Sequence, residues 1–131
     1  MSEDVAFEPT PKDARLDPDC LFCRISRGDV PAQIVYEDSV VIAFDDISPQ
    51  APVHTLIIPR EHYRDIADDV PAPVISALMS AVGAVACLKG VSQTGYRVIV
   101  NNGPDAQQSV PHLHVHVIGG APMSHGMVAL D

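Results

Sequence analysis

The segment Gln107-Gln108-Ser109-Val110-Pro111-His112-Leu113-His114-Val115-His116-Val117-Ile118-Gly119-Gly120 carries histidine at every second position from 112 to 116. In extended backbone successive side chains point to opposite sides of a sheet, so His112, His114 and His116 share one face while Leu113, Val115 and Val117 share the other. One face can enter a core. The other presents three groups that can each act as nucleophile, acid, base or metal ligand near neutral pH. Alternate residues on a strand lie about 6.6 Å apart and the outer pair about 13 Å apart. Two neighbouring histidines can therefore reach one metal ion, whereas three cannot, and a three-histidine metal site would need a ligand from elsewhere. Ser109 and the two glutamines before it favour a site that handles an anion; a chance cluster and a metal site are the alternatives.

The chain has 131 residues, which fits one domain, and its 47% hydrophobic composition is enough to build a core. A formal net charge of −9 argues against binding nucleic acid through a broad basic surface. A small phosphate ligand stays compatible with it, since backbone amides, histidine and Ser or Asn donors can hold one. Met1-Ser2-Glu3-Asp4-Val5 lacks a basic region followed by an apolar run, and no stretch nears the roughly 20 apolar residues of a membrane span. The expectation is a soluble, cytoplasmic protein with no membrane partner. Three cysteines do not suggest a secreted disulfide framework; Cys20-x-x-Cys23 reads as reduced thiols or a metal site, and Cys87 as a buried helix residue.

Residues 1–18 are rich in Pro, Asp and Glu and are expected to form a flexible tail. Cys20 to Arg27 predicts a short helix ending at Gly28, followed by strands at Ile34–Asp38, Val40–Phe44 and Val53–Ile58, the last stopped by Pro59. Val74, Leu78, Val82, Val85 and Leu88 recur at three or four residues, which predicts an amphipathic helix of about four turns ended by Gly90. Tyr96–Val100 and His112–Ile118 are the last strands, with the 101–110 loop between them and a C-terminal tail over 121–131. This order predicts an α+β domain over 19–120: a mainly antiparallel five-stranded sheet with one long and one short helix, the helices to one side.

His112-Leu113-His114-Val115-His116-Val117-Ile118 resembles the His-φ-His-φ-His-φ-φ signature of the histidine triad superfamily at every position. The similarity extends, in the family's order, to Asp19–Ile25, Ala43–His54, Ile58–His62 and Tyr96–Gly103, and together these blocks resemble the branch of histidine triad nucleotide-binding proteins. The resemblance implies hydrolysis of purine nucleoside 5′-monophosphoramidates or acyl- and aminoacyl-adenylates. His114 would attack phosphorus to form a nucleotidyl-histidine that water cleaves. His116 would contact the phosphate and, with Ser109, assist the leaving group; His112 and His54 would form a supporting shell. The plainer alternatives are a turn hydroxyl at Ser109 and a satisfied core histidine at His54.

The resemblance also gives Asp46 to the ribose hydroxyls, with Ile47 beside it, and Leu21, Phe22, Ile25 and Val30 to the walls that hold the purine. Asn101 would reach the phosphate or leaving group, and main-chain amides at Gln107 and Gln108 would approach the phosphate, although the branch commonly has Gly-Gly where this chain has Ala106-Gln107. Bacterial relatives with this Cys-x-x-Cys imply a structural zinc on Cys20, Cys23, His62 and His112, with no metal needed for the chemical step. A redox pair is the rival, without a thioredoxin-like β-α-β pattern around it. A homodimer with one continuous sheet, joined near the 74–89 helix and Tyr96–Val100, is likewise implied by resemblance. The competing activities are a dinucleoside polyphosphate hydrolase of the fragile histidine triad type and a nucleotide- or zinc-binding module with little turnover. The C-terminal tail, which helps select substrate in the family, lacks the tryptophan of better-known relatives.

Overall fold

Residues 16–125 are described by the structure, a computed structural model. Most of the expected N-terminal tail and the end of the C-terminal one lie outside the described residues. Helix α1 (Leu21–Arg27) is followed by strands β1 (Ile34–Glu37), β2 (Val41–Asp45) and β3 (Val53–Pro59), helix α2 (Ala72–Leu88), and strands β4 (Tyr96–Ile99) and β5 (Val115–Gly119). The strands form one antiparallel sheet in the order β1-β2-β3-β5-β4. This is the predicted α+β class with five strands, one long helix and one short. Among the described residues no helix is long and apolar enough to cross a membrane.

Alternation along the central strands divides the interior into two cores. Val41, Ala43, Ile57, Val115 and Val117 face α2 and pack with its Val74, Leu78, Val82 and Val85. Ile42, Phe44, Leu56 and Ile58 face the opposite way and pack with Phe22 and Ile25 of α1. The helices thus cover opposite faces of the sheet, which corrects the expectation that both lie to one side. Every central strand has an apolar residue at nearly every position, as burial on both faces requires.

Helix α2 accepts Pro73 because the first turn has no intrahelical use for its missing N–H. Two readings of its far end are corrected. Leu88 is exposed, because Gly90 takes up φ +75° and the chain turns back so that Val91, 2% exposed, fills the core instead. Cys87 is also exposed. It lies nine residues after Leu78, two and a half turns away and so on the helix's outer side.

Strand β5 begins at Val115, three residues later than predicted. Its pairing with β3 runs from Gly119 opposite Val53 to Val115 opposite Ile57, and in that register Pro59 would face Leu113. Proline offers no N–H to continue the ladder. The N–H of Leu113 instead donates to the Tyr63 carbonyl at 2.7 Å. His112 and His114 therefore stand on non-ladder backbone, but their faces still alternate: both are buried, and Leu113 sits in the α2 core. Beyond β5, Gly120 has φ +93°, and a Cβ there would meet Pro52 Cβ at 3.0 Å. A glycine is needed for both reasons.

Candidate active site

The residues facing α1 surround a pocket of about 260 Å³. Leu21, Phe22, Ile25, Val30, Pro31, Ala32, Phe44 and Leu56 make an apolar wall; Asp46, Ser109, His114 and His116 stand at the polar end, and Ile47, 96% exposed, at the rim. Of the residues singled out in the sequence, Asn101, Gln107 and Gln108 do not line this pocket, and His54 and His112 stand behind its histidines rather than on its wall. The glutamine amides are also committed elsewhere, since Gln107 N–H donates to the Pro104 carbonyl and Gln108 N–H to the Gly103 carbonyl. The Gln108 side chain ties the loop together, accepting from Gly103 N–H and donating to the carbonyls of Arg64 and Val110. In this structure the 107 and 108 amides thus serve the loop itself, where the sequence led us to expect them toward a phosphate. Gln107 also holds φ +63°, a conformation costly for a residue with a Cβ and ordinary for glycine.

Backbone partners fix the proton positions of the histidines. His114 Nδ1 lies 2.7 Å from the His112 carbonyl, which can only accept, so Nδ1 carries the proton and Nε2 keeps its lone pair. Gln50 N–H donates to His54 Nδ1 at 3.0 Å, so the His54 proton is on Nε2. That Nε2–H points at His116 Nδ1, 2.9 Å away, and leaves the His116 proton on Nε2. The result is one ring with a free Nε2 and, 5.0 Å away between centroids, a second with an Nε2–H. Asp46 Oδ2 is 3.5 Å from His54 Nε2, and its Oδ1 accepts from Ser48 N–H.

Asp46, His54 and His116 are close enough to suggest a cation. A metal would require a lone pair on His54 Nε2, which the Gln50 N–H denies it, so the trio is a hydrogen-bonded chain.

Burial lowers the pKa of His114 and brings that of His116 down to about 4, with the neighbouring rings His114 and His54 adding to the effect on His116 and Asp46 opposing it. Both are neutral at pH 7, the state that leaves His114 a lone pair while His116 still carries one N–H to donate. The unfolded chain protonates His116 near the ordinary value of 6.5, so the folded form gains stability that is full above that pH and declines as the pH falls toward 4. Thermal midpoints measured from pH 7 to pH 4 are expected to fall across this window, and less steeply in His116→Gln. Parallel curves for the two proteins would contradict the assignment.

On the other side of His112, Cys20 Sγ, Cys23 Sγ, His62 Nδ1 and His112 Nδ1 lie within 4.8 Å of one another. His112 Nε2 donates to the Pro59 carbonyl at 3.0 Å, which turns the Nδ1 lone pair toward both sulfurs, at 3.4 and 3.5 Å. His62 Nδ1 is 3.2 Å from Cys23 Sγ. Ordinary Zn–S and Zn–N bonds in a tetrahedron give an S···N edge of about 3.6 Å, so the donor set fits that ion with little movement. Burial pushes the Cys23 thiol up to about 12, and a cation among the four groups would reverse that. Low exposure of both thiols, 5% and 0%, disfavours a redox pair, which needs an accessible thiolate.

Phe44, Leu56, Pro31 and Ala32 line the pocket without being foreseen by the sequence motifs. The first two could have been found by alternation, since Leu56 pairs with both Phe44 and His116 and so must share their face. The carbonyls and N–H groups that orient the rings carry no residue-type signal at all.

Known proteins resemble this chain in sequence and fold. The HIT domain profile matches residues 27–123. An uncharacterised 13.2 kDa HIT-like protein of Azospirillum brasilense is 47% identical over 108 residues, covering 79% of this chain and 88% of that protein. A HIT family hydrolase from Clostridium thermocellum superposes with a TM-score of 0.81 at 40% identity, covering 86% of this chain and 99% of that one. A histidine triad nucleotide-binding protein from Candida albicans superposes at 0.74 with 29% identity, covering 86% and 87%. With its fold, its alternating histidines and these relatives in agreement, the chain belongs to the HIT domain family.

Proposed function

We propose that this protein hydrolyses purine nucleoside 5′-monophosphoramidates, or acyl- and aminoacyl-adenylates, through a nucleotidyl-histidine intermediate. The observation that carries this reading is the pairing, in one pocket, of a His114 Nε2 lone pair with a His116 Nε2–H. His114 Nε2 attacks the α-phosphorus as the P–N or P–O bond to the leaving group breaks. His116 donates a hydrogen bond to the phosphate, and with Ser109 assists the departing nitrogen or oxygen, help worth typically ~10²–10⁴-fold. Water then cleaves the phosphorus–His114 bond, releasing the nucleoside monophosphate and restoring the free ring. The apolar wall takes the base, and Asp46 accepts from the ribose hydroxyls. Asn101, outside the pocket lining, would have to reach in to contact the phosphate or leaving group.

Two relatives whose names speak of a hydrolase and of nucleotide binding support the class of activity. The blocks Gln50-Ala51-Pro52 and Gly119-Gly120 favour the nucleotide-binding-protein branch over dinucleoside polyphosphate hydrolases. Zinc on Cys20, Cys23, His62 and His112 would be structural, since all four positions are filled by protein and none is left for substrate. A homodimer is supported by two features. The 17 residues of α2 include no charged side chain even on the outer face, where Met79, Gly83 and Cys87 are exposed, and β4 is an edge strand with Tyr96 and Val98 outward.

Rapid mixing with an adenosine 5′-phosphoramidate and acid quenching tests the chemistry. An adenylated His114 should appear before steady release of AMP. A protein that binds AMP but forms no adduct and turns over nothing would be a binding module instead.

A further inference from the structure

We infer that the Cys20-Cys23-His62-His112 cluster positions the nucleotide site, so that metal and nucleotide bind cooperatively. The inference rests on the nucleotide reading above and adds a link between two sites that lie back to back.

Three connections join them. The first is α1 itself. Cys20 is its N-cap and Cys23 stands in its first turn, while Leu21, Phe22 and Ile25 of the same helix line the pocket. Seven residues are far fewer than the ~12–15 that an isolated helix needs, so α1 holds its place through its attachments. Those attachments are the cluster at one end, the left-handed Gly28 cap at the other, and between them the burial of Phe22 and Ile25 and a 2.8 Å bond from Ser26 Oγ to the Arg60 carbonyl. Releasing the cluster frees the end that carries Leu21 and Phe22.

The second connection is His112. Its ring joins the cluster, and its carbonyl accepts the His114 Nδ1–H that keeps the nucleophile's lone pair on Nε2. Tilting the ring toward or away from an ion moves the residue whose carbonyl sets the orientation of His114. The third is the Phe22 ring, which lies edge-on to His112 at 5.8 Å and to His114 at 5.2 Å between centroids while forming part of the base wall. One rigid ring therefore touches the metal side and the nucleophile and lines the wall where a base would lie.

An ion that holds these groups in the arrangement a nucleotide prefers must tighten nucleotide binding, and by linkage the nucleotide must tighten the ion by the same factor. Such couplings commonly amount to 5–150-fold, and about tenfold is expected here. The test is calorimetric titration of AMP into zinc-loaded protein and into the same protein stripped by a chelator, with circular dichroism to verify that the stripped form is folded. AMP should bind the stripped form about tenfold more weakly. In the reverse direction, zinc affinity measured against a competing chromogenic chelator should rise by the same factor when AMP is saturating.

Equal AMP affinities in two folded forms would overturn the coupling and leave the nucleotide reading intact. If stripping unfolds the chain, the zinc competition on never-stripped protein decides alone, and zinc affinity unmoved by AMP overturns it. AMP binding to neither form would remove the nucleotide reading and the coupling together.

Discussion

Exchange of His114 for alanine is expected to lower turnover of an adenosine phosphoramidate by about 10⁴-fold or more, the scale seen when a covalent nucleophile is removed. AMP affinity should change only a few-fold. The reason for the split is geometric. His114 contributes one ring to a pocket whose apolar wall and ribose acceptor stay in place, but no neighbouring group can replace its Nε2. His116 has its proton on that atom, and its Nδ1 is occupied by His54. His54 is bonded at both nitrogens. The variant also leaves the buried His112 carbonyl without its donor, so some loss of stability, about 1–3 kcal/mol, should accompany the loss of rate. Parallel measurement of kcat, AMP affinity and thermal midpoint separates these effects. A variant with turnover within tenfold of wild type would remove His114 from the nucleophile's role.

The second large effect concerns Cys20→Ser. Serine is a favoured N-cap and keeps the acceptor that Cys20 presents to the first turn of α1, so the substitution is mild for the helix and removes one thiolate from the cluster. Wild type isolated with zinc should hold close to one ion per chain. The variant should hold almost none, because losing a ligand costs more than the ~10–100-fold that loss of a mere supporting partner does. An ion bound at about 1,000 times its dissociation constant adds about 4 kcal/mol to stability, so the thermal midpoint should drop by about 15 °C. Metal analysis after gel filtration, with melting in parallel, checks both. Equal zinc in the two proteins would dispose of the metal assignment.

The residues that determine their own face were legible from sequence. Alternation put Leu113, Val115 and Val117 opposite the histidines, and the structure has them in the α2 core. Cys20 to Gly28 gave the short helix almost to the residue, since a left-handed glycine marks its end. What escaped depends on groups distant in sequence. The start of β5 is set by Pro59, more than fifty residues earlier, whose missing N–H ends the ladder. The placement of the helices on opposite faces depends on which way each connection crosses the sheet, and local periodicity does not carry that. Leu88 matched the apolar pattern and was exposed because Val91, beyond a turn, reached the core first. The histidine tautomers follow from carbonyls and N–H groups that every residue possesses, so the spacing could nominate the rings without assigning their protons.

The division of labour along β5 also governs how this chain can change length across generations. Insertion or deletion of one residue between 113 and 119 would exchange the two faces, sending imidazoles into the α2 core and valines into the pocket. Descendants are therefore confined to substitution in that stretch. Growth and shrinkage fall instead to the 101–110 loop, where most residues lie exposed and whose hydrogen bonds can re-form around a different count.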